Sequence, residues 1–85
     1  MKTFKFIAST PNGNVLEKEI TMLSVRGTEG SLAVMAGHIP FITTTKAGEV
    51  KIKTEADEQV YEATEGILTV TKDSTTLLCA EFKIN

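Results

Sequence analysis

Hydrophobic and polar residues alternate along most of the chain. Near the start, Phe4 and Phe6 alternate with Lys5, and the same period of two recurs at residues 50–53 and 67–71. This period is typical of β-strands that bury one face. The chain is also rich in threonine, isoleucine and valine, whose branched side chains suit a pleated sheet. The pattern therefore predicts strands from one end of the chain to the other.

Turn-forming residues separate the alternating segments. Pro11, Asn12 and Gly13 form one such group, and Lys72 and Asp73 belong to another. Alternation and turns together predict strands at residues 2–9, 14–26, 31–35, 39–45, 49–54, 59–64, 66–71 and 75–82.

The segment 15–23 is the one helix candidate, because Leu16, Ile20 and Leu23 also fit a helical spacing. Its β-branched content and its lack of a capping residue favour an extended strand. We therefore predict an all-β fold for residues 1–85, a single domain built as a small antiparallel β-sandwich or flattened barrel of about eight to ten short strands.

Size and charge restrict the classes of function. A chain of 85 residues and 9.2 kDa forms one small domain, with no room for a two-lobed enzyme. Nine basic and eleven acidic residues give a net charge of −2, which argues against binding nucleic acid or an anionic lipid surface through charge. No apolar run approaches the ~18 residues of a membrane span, and the first ten residues read as folded protein and not as a signal peptide. We expect no direct insertion into a membrane.

Few residues of this sequence could support chemistry. Cys79 is the one cysteine and lies in an apolar strand, so we expect a buried, inert thiol without a disulfide. No spacing of histidine, cysteine or acidic residues predicts a metal site, and no glycine-rich loop predicts a nucleotide site. A small hydrolase using Ser31 and His38 is one hypothesis, but no nucleophile elbow accompanies them. We expect no catalytic residue, no metal and no cofactor.

Two loops remain as candidate binding surfaces. One is bracketed by Gly27 and Gly30, and the other contains Gly37 and Pro40. Proline favours an extended backbone at the residue before it and removes one donor from a sheet, which places the second loop at a sheet edge. The strand between the loops is long enough to cross a sheet, so the loops need not lie at the same end.

A free-standing β-sandwich that binds peptide or carbohydrate is an alternative function. Such a module usually offers an aromatic platform to its ligand. This chain has no tryptophan and a single tyrosine, Tyr61, which gives that alternative little support.

The chain resembles a known family. The segment 27–43 (GTEGSLAVMAGHIPFIT), followed in order by Lys46-Ala47-Gly48 and by residues 65–70 (EGILTV), is similar to the amino-terminal β-sandwich domain of the epsilon subunit of F-type ATP synthase. The resemblance covers nearly all of the 85 residues. It implies a non-catalytic central-stalk (rotor) subunit that links the gamma subunit to the c-ring and helps couple ion translocation to ATP synthesis. It also implies a peripheral position at the cytoplasmic face of the bacterial inner membrane.

The resemblance also assigns partner-binding residues. The c-ring side would consist of two groups, Glu29, Gly30, Ser31 and Leu32, and Gly37, His38, Ile39 and Pro40. The gamma side would include Thr10 and Thr43.

The sequence departs from the family at several positions. Ala36 and Ala47 stand where the family often has proline, and Ser31 and Ala33 replace frequent acidic or glycine residues. We therefore expect the details of the rotor contacts to differ. The pair of carboxy-terminal helices that can inhibit ATP hydrolysis in the family does not occur within these residues, so that regulation is not implied.

Overall fold

The computed structural model describes residues 2–37 and 40–84, and within these ranges it contains strands and turns without a helix. Ten strands follow one another along the chain. Their bounds are β1 Phe4–Thr10, β2 Gly13–Ile20, β3 Met22–Gly27, β4 Gly30–Met35, β5 Phe41–Thr45, β6 Gly48–Lys53, β7 Glu58–Ala63, β8 Gly66–Val70, β9 Ser74–Cys79 and β10 Phe82–Ile84.

The strands form two packed halves of a nearly closed, barrel-like sandwich. The first sheet has the order β10-β7-β6-β3-β4, and the second sheet has the order β5-β8-β9-β1-β2. The halves are joined where Gly27 of β3 pairs with Thr45 of β5. On the opposite side, the Phe82 ring of β10 stacks on Tyr61 with ring centroids 4.9 Å apart and lies 6.2 Å from Phe6 of β1. These contacts hold the two sheets face to face.

The predicted all-β fold is confirmed, with three differences in detail. The predicted strand 14–26 is two strands, because the chain leaves the second sheet at Thr21, whose amide donates to the Lys53 carbonyl at 2.7 Å. The predicted strand 75–82 is also divided, at residues 80–81. The pairing of β1 with β9 is parallel, not antiparallel, because both strands run toward the same end of the sandwich.

The core consists of the inward side chains of both sheets. Alternate residues of β1 are buried, as the period of two predicts, and the predicted inert cysteine, Cys79, is buried as well. The largest fully buried side chains are Phe6, Ile20, Leu23, Ile52, Leu68, Leu77, Val34 and Thr75. Full burial of one apolar side chain of this kind stabilises a fold by about 1.5–3 kcal/mol, so the seven apolar residues among these contribute strongly to sandwich formation.

The registers place the turns at two ends of the sandwich. At the first, which we call the Thr10 end, lie residues 10–13, 27–30, 45–48, 63–66 and 79–82. At the other, which we call the Pro40 end, lie residues 20–22, 35–37, 53–58 and 70–74 together with Pro40. This division decides which of the predicted binding residues can act together.

Candidate protein-binding surfaces

The β3–β4 turn presents the first group of predicted c-ring residues at the Thr10 end. Gly27 pairs with Gly30 across a two-residue loop, and Gly30 has φ = 129°, a conformation that favours glycine. Glu29 and Ser31 are exposed, whereas Leu32 is half-buried and packs against the core. The turn therefore offers one exposed carboxylate and two small residues to a neighbour.

The second predicted group begins at the other end of the same strand. Gly37 and Pro40 are exposed at the Pro40 end, and His38 and Ile39 lie outside the described residues. Gly30, Ser31 and Leu32 lie on the first half of β4, and the five steps from Leu32 to Gly37 span roughly 16 Å at the usual rise of a strand. The two groups therefore cannot form one compact loop cluster, although β4 connects them along a sheet edge.

The two predicted gamma-side residues differ in their surroundings. Thr10 is buried, and its hydroxyl belongs to the β1–β2 turn, where it accepts a hydrogen bond from the Asn12 amide at 3.2 Å and donates to the Gly13 carbonyl at 3.3 Å. Thr43 is half-buried in the middle of β5, and it lines a groove of about 180 Å³ with residues 27–32. The structure thus brings Thr43 beside Glu29, Gly30, Ser31 and Leu32 and leaves Thr10 in a separate turn.

The outer side of the second sheet carries a surface that the sequence did not single out. Outward residues of β5, β8, β9 and β1 lie in direct cross-strand pairs, such as Thr44 with Ile67 and Ile67 with Leu78. Ile42 is 72% exposed, and Ile67 and Leu78 are 44% and 49% exposed. We call this surface the uncharged face; it consists of Ile7, Ser9, Ile42, Thr44, Ile67, Thr69, Thr76 and Leu78.

Charge distinguishes the uncharged face from the outer side of the first sheet. There, neighbouring strands pair Glu49 with Glu62 and Lys53 with Glu58. Lys5, which is bridged to Glu17 at 3.2 Å, borders the uncharged face at its β1 edge. Contiguous apolar surface without charge is typical of a protein-binding site. The sequence signal for it is that both sides of β5, β8 and β9 lack charged residues.

The described residues offer little to chemical catalysis. Within residues 2–37 and 40–84, no three acidic, histidine or cysteine side chains are grouped so as to hold a metal ion. Nothing helical in the described part of the chain has the length and hydropathy needed to cross a bilayer. Of the hypothetical hydrolase pair, Ser31 is exposed on β4, and His38 lies outside the described residues.

Comparison with known proteins identifies the family. Residues 3–84 match the family described as ATP synthase, Delta/Epsilon chain, beta-sandwich domain. The chain belongs to this family. It is 38% identical over 81 residues to the "ATP synthase epsilon chain, sodium ion specific" of Propionigenium modestum, covering 95% of this chain and 59% of the relative. It is 37% identical over 78 residues to the ATP synthase epsilon chain of Bacillus velezensis, covering 92% of this chain and 59% of the relative.

Solved structures share the fold. A chain of the Euglena gracilis mitochondrial ATP synthase (OSCP/F1/c-ring) matches with a TM-score of 0.90 and 16% identity, covering 96% of this chain and 53% of that one. A chain from the central stalk and c-ring of the Tetrahymena thermophila mitochondrial ATP synthase matches with a TM-score of 0.80 and 15% identity. The match covers 95% of this chain and 66% of that one. The predicted resemblance to the epsilon family is thus confirmed, and the chain spans about three-fifths of the length of its curated relatives.

Proposed function

We propose that this domain is a non-catalytic part of the central stalk of an F-type ATP synthase, where it joins the gamma subunit to the c-ring and helps couple ion translocation to ATP synthesis. The observation that carries the proposal is the family match over residues 3–84, together with curated relatives that are named ATP synthase epsilon chains. The chain corresponds to the sandwich portion of those relatives, so the proposal concerns what residues 1–85 do as a single domain.

The architecture suits a part that transmits force between two neighbours. Two sheets packed around one core and joined along both sides resist shear, because sliding would break ladder hydrogen bonds and core contacts together. A stalk component must also contact two partners at once. The sandwich has distinct surfaces for this, since the uncharged face lies on one sheet and the β3–β4 turn projects from the Thr10 end.

We assign the gamma subunit to the uncharged face and its β5 border. The predicted gamma-side residue Thr43 belongs to β5, the border strand of this face, although its side chain points inward and away from Ile42 and Thr44; Thr10 is buried and does not contribute to the face. We assign the c-ring to the exposed β3–β4 turn with Glu29, Gly30, Ser31 and Leu32. The group Gly37, His38, Ile39 and Pro40 stays a predicted c-ring contact at the other end of β4.

The proposed location follows from these partners. The domain would associate peripherally with the membrane-bound complex, by contact with protein subunits. Because curated relatives such as those of Propionigenium modestum and Bacillus velezensis are bacterial, we propose the cytoplasmic face of the bacterial inner membrane.

Binding to the gamma subunit tests the proposal. We predict that Ile42→Glu lowers the affinity of the chain for the cognate gamma subunit by about tenfold or more, because a carboxylate would be desolvated within the contact. Isothermal titration calorimetry measures the affinity. The matched control is Val60→Glu on the outer side of the first sheet, opposite Lys51, which we expect to bind unchanged.

Two results would contradict the proposal. If the folded chain binds neither the gamma subunit nor c-ring protein, the stalk function is rejected. Equal binding by Ile42→Glu and Val60→Glu would reject the uncharged face as the gamma site. Urea denaturation of both variants checks that each substitution at these outward positions changes the free energy of unfolding by no more than about 0.5 kcal/mol.

A further inference from the structure

The two sides of the sandwich are closed by different kinds of contact. On one side, backbone groups join the sheets: Gly27 pairs with Thr45, and the Lys46 amide donates to the Arg26 carbonyl at 2.9 Å. On the other side lies β10, the outer strand of the first sheet, and in the described part of the chain no backbone pairing connects it to the second sheet. Closure on that side therefore depends on side chains.

Phe82 of β10 provides the side-chain contacts on that side. Its ring stacks on Tyr61 in the first sheet, and the centroids of the Phe82 ring and the Phe6 ring in the second sheet are 6.2 Å apart. Phe82 is half-buried and packs against the core. Ile84 is on the same side of β10, because side chains two residues apart share a face, but it is 68% exposed. Of the three residues of β10, Phe82 is therefore the one that anchors the strand in the core.

The backbone of β10 is also held at few points. The strand has three residues, and within the described ranges it pairs with β7 alone. The Thr64 amide donates to the Glu81 carbonyl at 3.1 Å, so Glu81 faces β7, and alternate residues of an antiparallel strand face the same neighbour. Lys83 therefore faces β7 as well, whereas the backbone groups of Phe82 and Ile84 point away from it.

The outer side of β10 adds little packing. A groove of about 400 Å³ lies beside the strand, and its lining includes Ala47, Gly48 and Glu81. Lys83 is exposed opposite Glu62, and in the described chain these two side chains form no ion pair. Segments with few buried contacts open at a lower free energy than the core of a fold. β10 is therefore suited to leave the sandwich while the rest of the fold persists.

The turn that leads into β10 packs against the Cys79 thiol. The Cys79 side chain is buried, and its Sγ donates to the Glu81 carbonyl at 3.3 Å. The Thr64 hydroxyl holds the same turn, because it accepts from the amides of Ala80 and Glu81 at 3.0 and 3.1 Å. If residues 80–84 move away, the thiol loses this cover. The reactivity of Cys79 therefore reports the position of β10.

We propose that β10 is a latch, which detaches from β7 together with the turn at residues 80–81 while β1 to β9 stay folded. Opening withdraws the Phe82 ring from Tyr61 and Phe6 and uncovers the Cys79 thiol. It also leaves the two sheets joined by backbone pairing at β3 and β5 alone, so the closed latch gives the sandwich its resistance to shear on this side. The inference goes beyond the proposed stalk function and does not rest on it.

Two measurements on the unsubstituted chain test the latch. The first is the rate at which dithionitrobenzoate labels the Cys79 thiol, divided by the labelling rate of the urea-unfolded chain. The second is amide hydrogen exchange at Lys83 and at Leu68, whose strand is paired on both sides. We expect Cys79 labelling and Lys83 exchange to give the same opening constant, about tenfold or more above the opening constant of Leu68.

Low concentrations of urea distinguish local opening from global unfolding. The effect of urea on an opening reaction grows with the surface that the reaction exposes. Release of residues 80–84 exposes little surface, so Cys79 labelling and Lys83 exchange should change little in low urea. Exchange at Leu68 requires global unfolding and should accelerate steeply.

Two substitutions on β10 form a matched pair. Phe82→Ala removes the ring that anchors the strand, so Cys79 labelling should become about tenfold faster or more. Ile84→Ala shortens an exposed side chain on the same side of β10, and labelling should stay within about twofold of the parent rate. If Phe82→Ala does not fold, Phe82→Leu keeps an apolar anchor without the aromatic stack, and its labelling should be faster by about threefold or more.

Three results would overturn the latch. If Cys79 labelling and Lys83 exchange are as slow as Leu68 exchange and depend on urea in the same way, β10 opens only when the whole chain unfolds. If Cys79 in the folded chain is labelled as fast as in the unfolded chain, β10 is not closed in solution. Equal labelling rates in Phe82→Ala and Ile84→Ala would show that the Phe82 ring does not hold the strand.

Discussion

At the scale of single residues, Cys79 shows how burial determines the chemistry of a side chain. The residue is 5% exposed, and its Sγ donates to the Glu81 carbonyl at 3.3 Å. Burial raises the pKa of the Cys79 thiol above its ordinary value of 9.0, and a hydrogen bond with the Thr64 side chain opposes this only in part. The thiol therefore stays protonated and weakly nucleophilic at neutral pH.

The raised pKa of Cys79 predicts a specific dependence of stability on pH. The unfolded thiol ionises near its ordinary pKa, whereas the folded thiol retains its proton to higher pH, so alkaline solution favours the unfolded chain. The contribution of the buried Cys79 thiol to the free energy of unfolding should be complete below about pH 9 and should decline as the pH rises further. Urea denaturation from pH 7 to pH 10 of the parent chain and of Cys79→Ala measures it.

The comparison with Cys79→Ala isolates the contribution of this thiol from pH effects that both proteins share. We expect the difference in free energy of unfolding between the two proteins to shrink above about pH 9. A constant difference over the whole range would show that the thiol has the same pKa in the folded and unfolded states.

At the scale of elements, threonine hydroxyls close the turns that the strands require. The Thr64 hydroxyl accepts from the amides of Ala80 and Glu81 at 3.0 and 3.1 Å, and the Thr64 amide donates to the Glu81 carbonyl at 3.1 Å. These bonds hold the β9–β10 turn and direct β10 alongside β7. Thr54 closes the β6–β7 turn similarly, accepting from the Asp57 amide at 3.0 Å.

Thr64→Val tests this role with almost no change in shape. Loss of the hydroxyl removes the acceptor for two turn amides, so we expect the free energy of unfolding to fall by about 1–2 kcal/mol. Thr44→Val is the matched control, because within the described residues the Thr44 hydroxyl makes no hydrogen bond; we expect a change of less than about 0.5 kcal/mol. Urea denaturation measures both, and equal losses would refute the turn-closing role.

The elements also show how much the sequence could predict. Alternation and turn residues located most strands, because burial of every second residue leaves a direct pattern. The break at Thr21 was missed because apolar alternation continues across it from Ile20 to Met22. The parallel pairing of β1 with β9 has no local signal, since it depends on how distant parts of the chain close the sandwich.

The candidate site was predictable to a smaller extent. Glycine and proline marked both loops, and the strand predicted at residues 31–35 left open that the loops lie at different ends, which is where the fold places them. The uncharged face was not recognised because Ile67 and Leu78 alternate with the buried Leu68 and Leu77, and an apolar residue fits either side of a strand. Thr10 matched the family pattern, but its hydroxyl hydrogen-bonds to Asn12 and Gly13 within the β1–β2 turn. The sequence alone does not show these hydrogen bonds.

At the scale of the whole molecule, the two outer surfaces differ in kind. The described chain measures 31 × 24 × 23 Å, with charged residues across the outside of the first sheet and the uncharged face on the outside of the second, where charge is confined to Lys5 and the β2 border. Such asymmetry suits a domain that has water on one side and protein on the other. The central proposal of our account is mechanical: we propose that the sandwich joins two larger partners of the stalk.

Reconstitution of ion pumping tests this claim most directly. Membranes that contain the ATP synthase but have been stripped of its epsilon chain would be supplied with the 85-residue chain, and ATP-driven ion pumping would be recorded with a fluorescent probe. We predict that the parent chain restores pumping and that Ile42→Glu restores less at the same concentration. Membranes that remain uncoupled in the presence of the folded parent chain would contradict the account.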